Sequence, residues 1–328
     1  NMDIQFLDRL FPSGKFTFGG LASVILSVEN INDLTGLEVE TVIDDLVINN
    51  QSFGQLNSLF YTLGSDELAT VSLEVSDEGM ESLEIGGQYD LFNKANNQVP
   101  IFNFDVRATQ FPILVLEFFM GSIISTTRGY VNAQIEVTSD GNQPDIGGRV
   151  LINGQTNIPI LGTTYEFINS SVDIDNQLIA FDEINMMDTE GNLASASGGI
   201  RHDHLTNFRM DTQVSTDKFL LLNTGKSAGM PFYGRRVGRA NIQIEGPFNQ
   251  LNMTVQAVTL PTSRVSIPIS STISVSDEEA FFIEFVSDNS FEEVLSAEDP
   301  SFVQIEGLNL VVDLTLTPDC EVSIILDE

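Results

Sequence analysis

One cysteine, Cys320, stands in a chain of 328 residues, so neither an internal disulfide framework nor a multi-cysteine metal site is available. Histidine is nearly as scarce: His202 and His204 are the two present, and a stable zinc site needs a third or fourth ligand. Basic residues number 14 against 47 acidic ones, a formal net charge of −33. That deficit excludes nucleic acid as a partner, because binding phosphates requires Lys and Arg to displace counterions. It equally excludes attachment to an anionic membrane through a polybasic face. No run approaches the ~18 uncharged apolar residues of a transmembrane helix. The N-terminus, Asn1-Met2-Asp3-Ile4-Gln5-Phe6, has neither a basic leader nor a signal-peptide core. The chain stops at Leu326-Asp327-Glu328, straight out of a strand-like alternation. It reads as a piece of a longer protein, so missing targeting signals carry no information on location.

What is present is apolar. Hydrophobic residues make up 42 %, Phe numbers 23, and mean hydropathy is +0.07. Acidic chains that stay disordered lack such residues to offset ordering entropy. This is a folded protein with an acidic surface.

The dominant pattern has a period of two. Val131, Ala133, Ile135 and Val137 alternate with Asn132, Gln134 and Glu136. Ala240, Ile242 and Ile244 do the same, as do Leu251, Met253 and Val255, and then Val265, Ile267 and Ile269. Leu308, Leu310, Val312, Leu314 and Leu316 continue the pattern into Val322, Ile324 and Leu326. Each run places alternate side chains on one face, the mark of a strand with one apolar and one polar side. Asp140-Gly141-Asn142, Asn153-Gly154, Asp188 to Asn192, Gly246-Pro247 and Pro318-Asp319 punctuate the runs as turns. The best helix candidate is Phe111 to Met120, with Pro112 in its first turn and Gly121 to stop it. One short helix cannot make the alternation of a parallel βαβ sheet.

Glycine followed by alternating apolar positions recurs at Gly20, Gly129 and Gly238, 109 residues apart each time. A polar turn and a second apolar strand follow each, near Leu34, Ile146 and Leu251. The repeat predicts one continuous β segment with approximate units at 20–110, 129–215 and 238–328, each stacking on its neighbours.

Candidate chemistry is thin. Gly225-Lys226-Ser227 lacks the earlier glycine of a phosphate loop, that position being Leu220. His202-Asp203-His204 would place two imidazoles on one strand face, but a solvated polar face is the plainer reading. Asp173-Ile174-Asp175-Asn176 and Asp188 to Asn192 offer oxygens for calcium without the twelve-residue loop and terminal Glu of a dedicated site, so ordinary turns are the plainer reading. No Gly-x-Ser-x-Gly elbow is present, and no His lies near Cys320 in sequence. The residues predict no enzyme and no cofactor.

A sheet with one apolar face must bury it. It can do so in a closed core, as a sandwich, barrel or filled β-helix, or as an open trough covering something other than protein. The residue pattern fits both.

The segment Asp188-Thr-Glu-Gly-Asn-Leu-Ala-Ser-Ala-Ser-Gly-Gly-Ile-Arg-His-Asp-His204 resembles a motif of TamB-type proteins. Phe232-Tyr233-Gly234, Gly238, Ile244-Glu-Gly-Pro247, Thr259, Ser263 and Ile267-Pro-Ile269 follow in the order of that family. So do Phe282-Ile-Glu-Phe285 and Leu314 to Asp327, and upstream the short helix Leu114 to Phe119 leading to Gly129. The resemblance is good from about Phe111 to the end and weaker but compatible from Gly20 to Asp90; it lies in the order of the motifs.

The resemblance implies an AsmA-like, bridge-type lipid-transfer protein. Its fold would be an elongated, curled, antiparallel-rich β-sheet with an apolar inner face. Its place would be the periplasm, anchored to the inner membrane by a helix that this segment lacks. Final C-terminal strands would follow Asp327 and meet a TamA-like Omp85 barrel in the outer membrane. Phospholipid acyl chains would line Val131, Ala133, Ile135, Val137, Ala240, Ile242, Ile244, Leu251, Met253, Val255, Val265, Ile267, Ile269, Leu310, Val312 and Leu314. The alternatives are a structural or adhesive β-solenoid with a filled core, and a chaperone-like sheet that pairs with client strands.

Overall fold

The structure, a computed structural model, describes residues 2–5, 16–30, 36–62, 68–77, 81–90, 100–120, 124–141, 143–159, 161–204, 206–225, 233–260, 263–270, 302–305 and 308–327. It is all-β and antiparallel-rich, as the alternation predicts. Two compact units are present. The first comprises Asn1–Thr156, Phe167–Ala180 and His202–Thr206; the second comprises Asn157–Glu166, Phe181–Arg201 and Asn207–Glu328.

In the first unit the strands are β1 (Met2–Asp3), β2 (Phe18–Ser27), β3 (Glu38–Ile48), β4 (Gln51–Ser52), β5 (Gln55–Thr62), β6 (Leu68–Asp77), β7 (Glu81–Asp90), β8 (Ile101–Pro112) and β9 (Ser125–Asp140). From β2 to β9, leaving aside the two-residue β4, each pairs antiparallel with the next. β10 (Pro144–Ile158), β11 (Thr163–Ile174), β12 (Leu178–Asp188), β13 (Leu193–Asp203) and β14 (Thr206–Thr224) follow, each contributing residues to both units. The second unit continues with β15 (Gly234–Pro247), β16 (Leu251–Thr259), β17 (Arg264–Ser270), β18 (Phe302–Ile305), β19 (Leu308–Thr315) and β20 (Glu321–Asp327). There β14, β15 and β16 pair antiparallel, whereas β16 with β19 and β17 with β20 are parallel. Nothing in the local alternation of either partner announces those parallel pairs.

The helix expected over Phe111 to Met120 begins later. Strand β8 runs through Pro112, a 3-10 turn spans Ile113–Leu116, and α1 covers Glu117–Met120. The cause is a β-bulge. The β8–β9 register slips between Ala108 and Phe111, where Gln110 adopts φ 48° and its N–H donates to Asn132 Oδ1 at 2.9 Å. Such a slip reverses which face later side chains occupy. Ala108 and Phe111 therefore both enter the same cluster although three residues apart.

All three echoed glycines are held by close backbone approach, a Cβ on Gly20, at φ 133°, lying 2.9 Å from Asp44 O. A Cβ on Gly129, at φ 120°, would lie 2.3 Å from Asn153 O, and one on Gly238 would lie 2.7 Å from Val258 O. Each glycine therefore meets a carbonyl on the strand that follows its own, which only glycine permits.

Candidate functional site

In the second unit the register assembles the apolar positions into continuous rows. Val214 faces Ile242, Ile242 faces Val255, and Val255 faces Val312. One step along, Thr212, Ile244, Met253 and Leu310 form a parallel row; on the other side, Thr216, Ala240, Ala257 and Leu314 form a third. The opposite face carries Gln213, Gln243 and Thr254, then Ser215, Asn241, Gln256 and Asp313. Cross-strand rows of this kind follow from a pleat that sends alternate residues to opposite sides.

Burial along these rows is uneven. Ala240, Ala257 and Leu310 are buried at 2 %, 6 % and 7 % exposure. Ile242, Ile244, Leu251, Met253, Val255, Val312 and Leu314 are half-buried. One part of the face is thus packed, and beside it the large aliphatic side chains keep part of their surface open.

The same unit holds a buried cluster of Tyr165, Ala194 and Phe219, against which Val214 packs. Tyr165 stacks on Phe219 with ring centroids 4.8 Å apart, and its hydroxyl donates to Leu220 O at 3.0 Å. Burial pushes the Tyr165 phenol up to about 12. Asp188 accepts from the backbone N–H of Glu190 (2.8 Å), Asn192 (2.9 Å) and Leu220 (2.6 Å), and from Asn192 Nδ2. Burial also pushes the Arg236 guanidinium down to about 10, which leaves it a cation at neutral pH.

In the first unit the same logic gives longer rows. The row Ala22, Ile43, Leu56, Val75, Leu83, Ala108 and Ala133 crosses β2, β3, β5, β6, β7, β8 and β9. Beside it run Leu73, Ile85, Val106 and Ile135, then Phe60, Val71, Gly87, Phe104 and Val137. Val131 pairs with Phe111 at the bulge. Val131, Ala133, Ile135 and Val137 are all half-buried and share one face of β9. Val265, Ile267 and Ile269 lie on β17, opposite Val322, Ile324 and Leu326; their side chains fall outside the described ones.

The rows also contain members that no apolar run in the sequence marks. Val214 belongs to a strand whose alternation is broken by Thr212 and Thr216, and only pairing with β15 reveals it. Val71, Leu73 and Val75, by contrast, alternate visibly with Ser72 and Glu74.

The polar candidates take structural places. The two imidazoles expected on one strand face are not so arranged: β13 ends at Asp203, and His204 adopts φ 45° with Nδ1 at 2.9 Å from Pro144 O. Asp175 accepts from the N–H groups of Gln177 and Leu178, each at 2.9 Å, as an Asx turn does. The oxygens of Asp188 are occupied by the donors named above. Among the described residues no cluster of three or more His, Cys, Asp or Glu could hold a metal ion. Lys226, Ser227 and the segment Phe282 to Phe285 lie outside the described residues. No described helix is long and apolar enough to cross a membrane.

Thr212 and Thr216 apart, the named members of the second unit's three rows are apolar.

Comparison with known families gives one match: residues 182–328 fit the family model described as the TamB C-terminal domain. Those residues hold β15, β16 and β19, and with them the rows through Ile242 and Ile244. No curated protein and no solved structure matches the chain.

Proposed function

The chain is a TamB-family protein through its residues 182–328, and we propose that it carries phospholipid across the periplasm with acyl chains on the apolar rows and headgroups in water. The family itself belongs to outer-membrane assembly in the bacterial envelope; the lipid path is our reading of this chain's surface. One observation carries it: Ile242, Ile244, Met253, Val255 and Val312 make an unbroken apolar patch that is half-buried.

Each methylene taken from water contributes about 0.8 kcal/mol, so a few turns of acyl chain on such rows suffice to hold a lipid out of solution. Ile242, Ile244, Met253, Val255 and Val312 are apolar, with no charged group among them, so a lipid can slide along them. Asn241, Gln243, Glu245 and Asn252 make the other face exposed and polar, and the net charge of −33 disfavours anionic headgroups there. Delivery would end at a TamA-like Omp85 barrel, with the whole protein held at the inner membrane by its own anchor. No bond is made or broken along this path, so the reading needs neither catalytic residue nor cofactor.

A chaperone-like sheet is the second reading, and β2 favours it beyond Leu21 and Ala22, the two residues at which it pairs with β1. Val24, Ile25 and Leu26 are 50 %, 62 % and 64 % exposed there, and a strand edge with apolar side chains can pair with a client strand.

Replacing Ile242 with Asp separates a path from a filled core. On a lipid path, I242D abolishes phospholipid delivery to the outer membrane in cells that depend on this protein, while the purified variant stays folded. In a filled core the buried carboxylate unfolds the protein instead.

A further inference from the structure

The first unit's apolar face is not uniformly open. In the row Ala22, Ile43, Leu56, Val75, Leu83, Ala108 and Ala133, four members are buried, Ala22 at 4 %, Ile43 at 8 %, Val75 at 5 % and Ala108 at 7 % exposure, and Leu56, Leu83 and Ala133 are half-buried and pack against the same cluster. In the neighbouring row, Leu73, Ile85, Val106 and Ile135 are all half-buried, as are Phe60, Val71, Phe104 and Val137 in the row beyond. In the row past these, Thr62, Ala69 and Ser139 are buried, and Tyr89 and Phe102, in register with them, are half-buried. The half-open rows, about 7 Å apart along a strand, run beside the row that packs against the buried cluster.

The helical segment Ile113–Met120 packs against the cluster to which the first row belongs. Leu114, Val115 and Phe118 pack against the cluster that contains Ala22, Ile43, Val75 and Ala108. Ile113 is 1 % exposed. Phe118 meets Phe53 edge-on at 6.1 Å and Phe16 at 6.2 Å, while Phe53 stacks on Phe111 at 5.8 Å. The segment is tied back to β9 by the Glu117 carboxylate, which accepts from Thr127 N–H. The bulge at Gln110 turns Phe111 into this cluster.

We propose that this segment is a side wall of the lipid path in the first unit: it bounds the path on one side and keeps acyl chains off the row through Leu83. The inference rests on the lipid reading above and adds what bounds the path.

The test places a diazirine-bearing aliphatic residue at Leu83 or at Ile85, two positions apart on the same face of β7, in the full-length protein. Cells with radiolabelled phospholipid are then illuminated. Several-fold more label at Ile85 than at Leu83 is expected. Removing the wall with Phe118→Ala, or untying it with Glu117→Ala, which takes no atom from the aromatic cluster, should raise Leu83 to the level of Ile85. Equal labelling of the two positions in the unaltered wall overturns the inference and leaves the lipid reading standing. So does a silent Leu83 in both variants while Ile85 still labels. Label at neither position overturns the lipid reading, and the wall with it.

Discussion

Ile242 and Val255, thirteen residues apart in sequence, stand directly opposite each other on β15 and β16, and both are half-buried. Two positions earlier, Ala240 faces Ala257, and both are buried. The same strand pair thus passes from packed core to partly open surface within a few ångströms.

That step predicts unequal costs for one chemical change. Ala240→Asp buries a charge without a partner and lowers stability by more than about 3 kcal/mol. Ile242→Asp leaves its carboxylate access to water and costs about 1 kcal/mol. Urea unfolding of the two variants measures the difference; equal losses would mean that Ile242 is core.

Gly129→Ala should cost about 2–4 kcal/mol, since the new methyl meets Asn153 O and φ is positive. Gly86 is the control. Nothing lies within 4 Å of a Cβ there, so Gly86→Ala should be neutral or stabilise by up to about 1 kcal/mol. Thermal midpoints of both variants check the pair.

The alternation of Ile242 with Gln243 and of Ile135 with Glu136 was enough to predict an all-β chain with one apolar face. Long-range pairing was not legible, because register between β16 and β19 depends on residues 57 positions apart. Nor was the bulge at Gln110, whose cause is a hydrogen bond to Asn132 on the next strand. That slip moved the helix start from Phe111 to Ile113 and built the wall. His204 left its strand through a local φ that no residue pattern marks. The apolar rows were partly readable because leucine, isoleucine and valine alternate in them; Val214 was hidden between threonines.

Tyr165 predicts a window of alkaline sensitivity. Its phenol titrates near the ordinary 10 when unfolded and at about 12 when folded, because burial disfavours the phenolate. Its contribution is therefore complete below pH 10 and is lost as pH rises to about 12, roughly 2–3 kcal/mol in all. Tyr165→Phe should remove that slope and cost about 1 kcal/mol at neutral pH through the lost bond to Leu220 O. Subtracting the two pH–stability curves cancels the opposite contribution of Arg236.

Asp188 should behave as a structural acceptor. Asp188→Ala strands the N–H groups of Glu190, Asn192 and Leu220 and should cost about 3–5 kcal/mol. Calcium or EDTA should leave the melting midpoint of the unaltered protein where it is. A midpoint that rises with calcium would show that these oxygens hold a metal.

The most direct measurement is photocrosslinking in living cells with radiolabelled phospholipid, using one photoreactive residue at Ile242 and, separately, one at Gln243. The two positions are neighbours in sequence and face opposite sides of β15. A lipid path predicts label at Ile242 and none at Gln243. A folded protein with no label at Ile242, or with equal label at both positions, would contradict it.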